Sequence, residues 1–203
     1  MKILAVGKNY AAHAKEFDGK VPTEPIIFMK PDSCIVTGNK PFYYPDFSQN
    51  IHHEIEIVVK INKICKSVEE KFAHRYYDEI TLGVDFTARD MQQRFVKEGL
   101  PWTLAKGFDG AAPIGEFFPK TKFVDIQNIG FSLALNDNIQ QSGNTKDMVF
   151  TIDKIIAYIT KFITLKAGDL IFTGTPEGVS AVKIGDNIKG WIENEKILDF
   201  DVK

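Results

Sequence analysis

Residues 52–61 read HHEIEIVVKI, and the fold turns on how that stretch is placed. In a strand, successive side chains alternate faces, so Glu54 and Glu56 share one face and Ile55 and Ile57 share the other. The plain interpretation is an amphipathic strand with both acids in water. The run continues as Ile57-Val58-Val59, however, which is apolar on both faces and predicts a strand buried on both sides. Two carboxylates on one buried face repel each other and are poorly solvated, and a bound cation relieves both problems.

Outward from this stretch lies residues 82–90, LGVDFTARD, where Asp85 ends a second apolar run. Asp85 reads either as a turn acid or, with Thr87 available to cap the helix that follows, as a carboxylate free for another role. Three such side chains make a hard oxygen site suited to Mg²⁺, Mn²⁺ or Ca²⁺. Open positions on that ion suit the carboxylate and keto oxygens of a 2-oxo acid.

Three further groups have two readings each. His13 and Glu16 stand three apart, so on a helix they are neighbours. They form either a surface pair or a dyad in which Glu16 orients the imidazole. Lys30 in FMKPD and Lys106 in TLAKGFD sit in apolar settings. They either snorkel from element ends or stabilise a developing enolate or carboxylate charge. Residues 172–180, FTGTPEGVS, form either a tight turn or a loop whose N–H groups and threonine hydroxyls clamp a substrate carboxylate.

The rest of the chain reads as short strands punctuated by Gly, Pro, Asn and Asp: 2–6, 25–29, 54–61, 80–86, 131–136, 169–173 and 187–192. Two of them follow a Gly-Asp turn, in LKAGDLIF and VKIGDNIKGWI. Three helices are predicted. Asn9 caps residues 11–17, Thr87 caps 88–98 with Asp90 as in a capping box and Gly99 as the stop, and Thr151 caps 152–162. In the last, Ile152, Ile155, Ile156, Ile159 and Phe162 make one core stripe. Helices do not alternate with strands, so the class is α+β and β-rich, against a doubly wound sheet or (β/α)₈ barrel. GxGxxG, Walker A, GxSxG and HExxH motifs are missing, which removes the usual support for nucleotide binding, serine hydrolysis and zinc proteolysis.

A chain of 203 residues with 44% apolar and 26% charged residues suffices for one globular domain, 1–203. The formal net charge of -2 gives no reason to expect nucleic acid or an anionic membrane as partner. Cys34 and Cys65 lack metal-ligand spacing and read as free thiols in a reducing compartment. With neither a signal peptide nor a spanning stretch in view, the expected location is cytoplasmic.

GKNYAAHAKE, EPIIFMKP, HHEIEIVV, DFTARDMQ, LPWTLAKGFD and LIFTGTPEGV, in that order from residue 7 to about residue 180, resemble the fumarylacetoacetate hydrolase family. The branch they are most similar to is the short, single-domain acylpyruvate hydrolase and oxaloacetate decarboxylase group. The resemblance implies a mixed β-sandwich roll with a few short helices, and a homodimer. It implies that Glu54, Glu56 and Asp85 hold Mg²⁺ or Mn²⁺, with Ca²⁺ able to take the site in a crystal. It implies a water-activating dyad of His13 and Glu16 on an N-terminal lid, and Lys106 near the substrate's keto oxygen. Arg89 and Gln92 are implied to line the pocket, Thr175 to meet the substrate carboxylate, and Lys30 to be the lysine of the FxKP stretch. Lys8, where arginine is frequent, and Ser180, where glycine is common, depart from the pattern.

The expected activity is hydrolysis of the C–C bond of an acylpyruvate through a metal-stabilised pyruvate enolate, with His13 activating the water. The same electrostatic site also suits oxaloacetate decarboxylation, or isomerisation, tautomerisation or hydration of unsaturated 2-oxo diacids. A non-catalytic metal or small-molecule-binding module is the alternative of another class. Against it, such a module has no need of the His13–Glu16 pair.

Overall fold

A computed structural model describes residues 1–16 and 20–203, with the side chain of Glu16 outside the description. The centre is a six-stranded sheet in the order Ile26–Lys30, Ile3–Gly7, Leu170–Phe172, Ile55–Ile61, Tyr77–Val84, Phe118–Pro119. Neighbours are antiparallel except Ile3–Gly7, which runs parallel to Leu170–Phe172. The central strands are apolar on both faces because both faces are covered. Ile57, Val58 and Val59 are fully buried, as their sequence predicts.

A second, antiparallel sheet packs against the first, in the order Asn138–Asn144, Gly130–Leu135, Asn187–Ile192, Glu195–Asp201. The Leu82 methyl lies close enough to Gly190 that a Cβ there would meet it at 3.3 Å. Two smaller pairings complete the mixed α+β roll: Ser180–Ala181, Ile51–His53 and Thr87–Ala88 in one, Ile35–Val36 beside Ala112–Pro113 in the other.

Sequence patterning recovers the long apolar strands and overlooks Asn138–Asn144 and Glu195–Asp201. The polar run NIQQSGN hides the first. The available signal was Asn136-Asp137, whose φ values of 51° and 64° make the left-handed two-residue turn of a hairpin. Short helices at Glu70–Ala73 and Thr103–Lys106 were also not predicted.

Helix caps divide. Thr151 accepts from Lys154 N at 3.2 Å, and Gly99 ends Arg89–Glu98 with φ of 68°, both as expected. Thr87 does not cap: it pairs with His52 in the small sheet and its hydroxyl bonds to Asp85 O. Strand pairing has taken the residue whose side chain alone favoured a cap, and the cap position falls to Ala88. Asp90 instead accepts from Ser48 Oγ at 2.7 Å and Met91 N at 2.8 Å. Asn9 is buried and turned away from the helix Ala11–Glu16, its amide donating to Thr173 O at 2.7 Å and Phe150 O at 3.0 Å. On Ile152–Phe162 the isoleucines are buried but Phe162 is exposed, its ring edge-on to Tyr158. Residue 17, predicted as the end of the first helix, lies outside the described residues.

Candidate active site

The site grows from one end of the large sheet. Ile55 pairs with Val84, so Glu54, just before one strand, and Asp85, just after its neighbour, are brought side by side. Asp85 N donates to Glu54 O at 2.8 Å and locks them there. At Glu54 the chain also changes sheets, leaving the pairing of His52 with Thr87 for that of Ile55 with Val84. Glu56 follows on the strand, and the loop leaving Leu170–Phe172 passes over it: Gly174 N donates to Glu56 Oε2 at 2.6 Å.

The three acids converge. One carboxylate oxygen from each of Glu54, Glu56 and Asp85 lies within 4.8 Å of the others, and all three residues are buried. The aqueous-face interpretation of the acid pair is therefore excluded. Cations meet two of the three. Lys106 Nζ donates to Glu54 Oε2 and to Asp85 Oδ2, both at 2.7 Å. Lys30 Nζ bonds to Asp85 Oδ1 and, at 2.9 Å, to Ala111 O, while Arg89 Nη2 bonds to Glu54 Oε1 and Nη1 to Gln92. Neither lysine snorkels: both are buried.

Electrostatics splits the glutamates. Burial alone drives the Glu54 carboxyl upward, but Lys106, Arg89 and His13 outweigh it and hold the group well below the usual carboxylate range. Glu56 goes the other way. Burial, then the charges of Asp85 and Glu54, push it well above its ordinary value, and the Gly174 N–H offsets this only in part. Burial lowers Lys106, yet Asp85 and Glu54 bring it above its ordinary value, so it stays charged.

This donor set fits a hard divalent cation. Every ligand atom is a carboxylate oxygen, and each oxygen bonded to a lysine or arginine keeps a second lone pair. Glu56, disfavoured as an anion among like charges, gains the most from such an ion.

A pocket of about 590 Å³ opens over the acids. His13, Arg89, Gln92, Lys106 and Thr175 all line it, so five sequence-predicted residues join the three acids in one place. His13 is buried in the same pocket as Glu54. The expected partner side chain of Glu16 lies outside the described residues. Lys30 reaches the cluster from behind, through Asp85. Lys8 lines the mouth with φ of 58°, a left-handed conformation uncommon for a residue with a Cβ. Ser180 does not face the pocket but turns its hydroxyl to His53 Nε2 at 2.8 Å.

Sequence reasoning overlooked the apolar wall formed by Phe28, Val96 and Trp102, since isolated apolar residues carry no local signal of a cavity. Gln141 was also overlooked, in its polar run. Its amide bonds to the loop threonine Thr175 at 2.8 Å.

Residues 2–202 match the family model described as fumarylacetoacetate (FAA) hydrolase C-terminal. The chain belongs to the fumarylacetoacetate hydrolase family. Among its relatives, the mitochondrial oxaloacetate tautomerase FAHD1 of Bos taurus is 41% identical over 201 residues, 99% of this chain and 91% of that protein. The mitochondrial oxaloacetate decarboxylase of Dictyostelium discoideum is 42% identical, over 99% and 93%. A fumarylpyruvate hydrolase from Pseudomonas aeruginosa, solved in complex with Mn²⁺ and pyruvate, superposes with a TM-score of 0.94 at 32% identity, covering 100% of this chain and 89% of that one. The chain is thus a member of an enzyme family whose relatives include hydrolases, decarboxylases and tautomerases. Among the described residues no helix is long and apolar enough to cross a membrane.

Proposed function

We propose that the chain is a divalent-cation-dependent enzyme that forms and reprotonates the enolate of a small dicarboxylic 2-oxo acid of the oxaloacetate class. The observation that carries this is Lys106, buried and charged between Glu54 and Asp85 on the pocket floor. Mg²⁺ or Mn²⁺ held by Glu54, Glu56 and Asp85 supplies Lewis acidity toward the substrate's keto and carboxylate oxygens. Lys106 stabilises the negative charge that develops on the keto oxygen. Arg89, Lys8 and Lys97, also in the lining, make the pocket attractive to a dianion. Thr175 binds the carboxylate next to the keto group, and His13 carries the proton to and from carbon. The oxaloacetate tautomerase and decarboxylase names of relatives at 41% and 42% identity support this substrate class.

A second reading is hydrolysis of an acylpyruvate, in which His13 activates water against the distal carbonyl. The structural likeness to the fumarylpyruvate hydrolase supports it, as does a pocket volume that exceeds what a four-carbon acid needs.

A substrate panel decides between them. Oxaloacetate and two acylpyruvates are assayed with Mg²⁺, with Mn²⁺ and with chelator. Oxaloacetate enol–keto interconversion or decarboxylation that chelator abolishes fits the first reading. Acylpyruvate cleavage at higher kcat/KM moves the assignment to the second. No turnover of any 2-oxo acid with either metal overturns both.

A further inference from the structure

Thr175 meets the pocket with a hydroxyl, and a hydroxyl can donate or accept. What decides its polarity lies behind it. Gln141 is fully buried, and its side-chain amide touches four groups. Oε1 accepts from Ile55 N at 3.0 Å and faces His53 Nδ1 at 2.9 Å, while Nε2 donates to Thr175 Oγ1 at 2.8 Å and to Pro176 O at 2.9 Å.

The orientation of a glutamine amide is normally ambiguous, but two backbone groups settle this one. Ile55 N–H can only donate and Pro176 C=O can only accept. Reversing the amide would set donor against donor and acceptor against acceptor in a buried site. Gln141 Nε2 therefore points at Thr175, whose oxygen must accept. The Thr175 proton meets no acceptor among the described residues and is left for whatever occupies the pocket. On the other side, Oε1 requires a proton on His53 Nδ1, and Ser180 closes the line at His53 Nε2.

The local fold is built to bring Gln141 here. The register slips between Leu133 and Ala134, so Gln140 is an extra residue in the strand Asn138–Asn144 and Gln141 turns inward between exposed neighbours. Close approach of this strand to the Pro176 loop needs glycine twice. A Cβ on Gly178 would meet Gln140 O at 2.1 Å, and one on Gly143 would meet Pro176 at 2.9 Å.

We propose that Gln141 is a positioning residue that makes Thr175 an obligate hydrogen-bond donor, so that this corner of the pocket selects an anionic acceptor, a carboxylate, over a ligand group that must itself donate. The proposal rests on the 2-oxo acid reading for the identity of that carboxylate, but the polarity of the chain Ser180–His53–Gln141–Thr175 does not.

Two measurements test it. The first needs no substrate. In ¹⁵N-histidine NMR spectra of the wild-type protein, His53 carries a proton on Nδ1, and a spectrum showing protonation on Nε2 alone overturns the polarity. The second is a double-mutant cycle on KM for oxaloacetate, or for whichever 2-oxo acid turns over. Thr175→Val and Gln141→Met each raise KM, on the order of tenfold to a hundredfold for a lost hydrogen bond to a charged group. The double variant is no worse than Thr175→Val, because Gln141 acts through that hydroxyl. Thr175→Ser retains a near wild-type KM. Multiplying effects in the double variant, or a fall in kcat with KM unchanged, overturns the positioning role. Gln141→Met also strands Ile55 N–H and Pro176 C=O, so the wild-type spectrum decides the polarity even if that variant does not fold. If the wild-type enzyme turns over no 2-oxo acid while His53 shows the Nδ1 proton, the functional reading fails and the polarity stands.

Discussion

Lys106 Nζ lies 2.7 Å from Glu54 Oε2 and 2.7 Å from Asp85 Oδ2. One ammonium thus joins two segments that the large sheet has already set side by side. The same buried group lines the pocket, so it serves packing and, in the proposed reaction, chemistry together.

Lys106→Ala is expected to lose on both counts. Removing a preorganised donor to developing negative charge costs about 10²–10³-fold in kcat. Two buried carboxylates also lose a partner, which typically destabilises by about 3–5 kcal/mol. Steady-state kinetics and thermal unfolding of the same preparation read both effects. A variant with wild-type kcat would remove Lys106 from the chemistry.

Glu56→Gln separates metal binding from folding. Burial and the charges of Asp85 and Glu54 push the Glu56 carboxyl well above its ordinary value and so favour its neutral form, which the glutamine imitates without metal. The folded value lies above the unfolded one. The corresponding stability is present below the ordinary carboxylate range and is lost as pH rises through the raised value. With chelator, the wild-type thermal midpoint therefore falls with rising pH above that range, and Glu56→Gln flattens the fall. Glu54 has the opposite sign: its value is depressed, so its contribution is present above the ordinary range and lost in acid. Adding Mn²⁺ raises the wild-type midpoint and not that of Glu56→Gln. An equal rise in both would take Glu56 out of the ligand set.

His13→Ala should spare the metal. The imidazole lines the pocket, while the converging oxygens belong to the three acids. A lost proton-transfer group costs about 10²–10⁴-fold in kcat. Mn²⁺ affinity, read by calorimetry, is expected to stay within a factor of a few of wild type. A large loss of affinity with unchanged kcat would mean that His13 serves the metal instead.

Gly174→Ala tests the loop over Glu56. Gly174 has φ of 101°, and an added Cβ would meet Asn9 Cβ at 2.6 Å. Strain of this kind costs about 1–3 kcal/mol, and the shift it forces moves the N–H that bonds Glu56. The thermal midpoint and the Mn²⁺ affinity are expected to fall together. Unchanged values for both would show that the loop yields without disturbing the acid.

How much of this was legible beforehand depends on the range of each signal. Glu54 and Glu56 announce themselves because a period of two and an apolar run lie in one stretch. Asp85 was found for a partly mistaken reason. Its sequence argument leaves the helix cap to Thr87, which does not form one, and Asp85 is instead fixed by pairing between Ile55 and Val84. Asn9 reads as a cap locally but spends its amide on Phe150 and Thr173, more than a hundred residues away. Gln141 sits in a polar run that reads as surface, and only the bulge at Gln140 turns it inward. Local chemistry was readable, whereas partners set by tertiary pairing were not.

The parallel pairing of Ile3–Gly7 with Leu170–Phe172 sets an order on assembly during synthesis. The first strand can pair early with Ile26–Lys30, the next strand along the chain. Its other edge stays open until residue 172 has left the ribosome, because nothing nearer in sequence fills that slot in the sheet. The loop that covers Glu56 emerges just after that strand, so Glu56 stays uncovered from its own synthesis until the chain has passed residue 174. Non-local closure of this kind is slow and leaves a sheet edge unpaired meanwhile. A ribosome stalled before residue 170 would hold a chain with Glu54, Glu56 and Asp85 already made but with no central strand to complete their sheet, a species that protease sensitivity of stalled nascent chains would reveal.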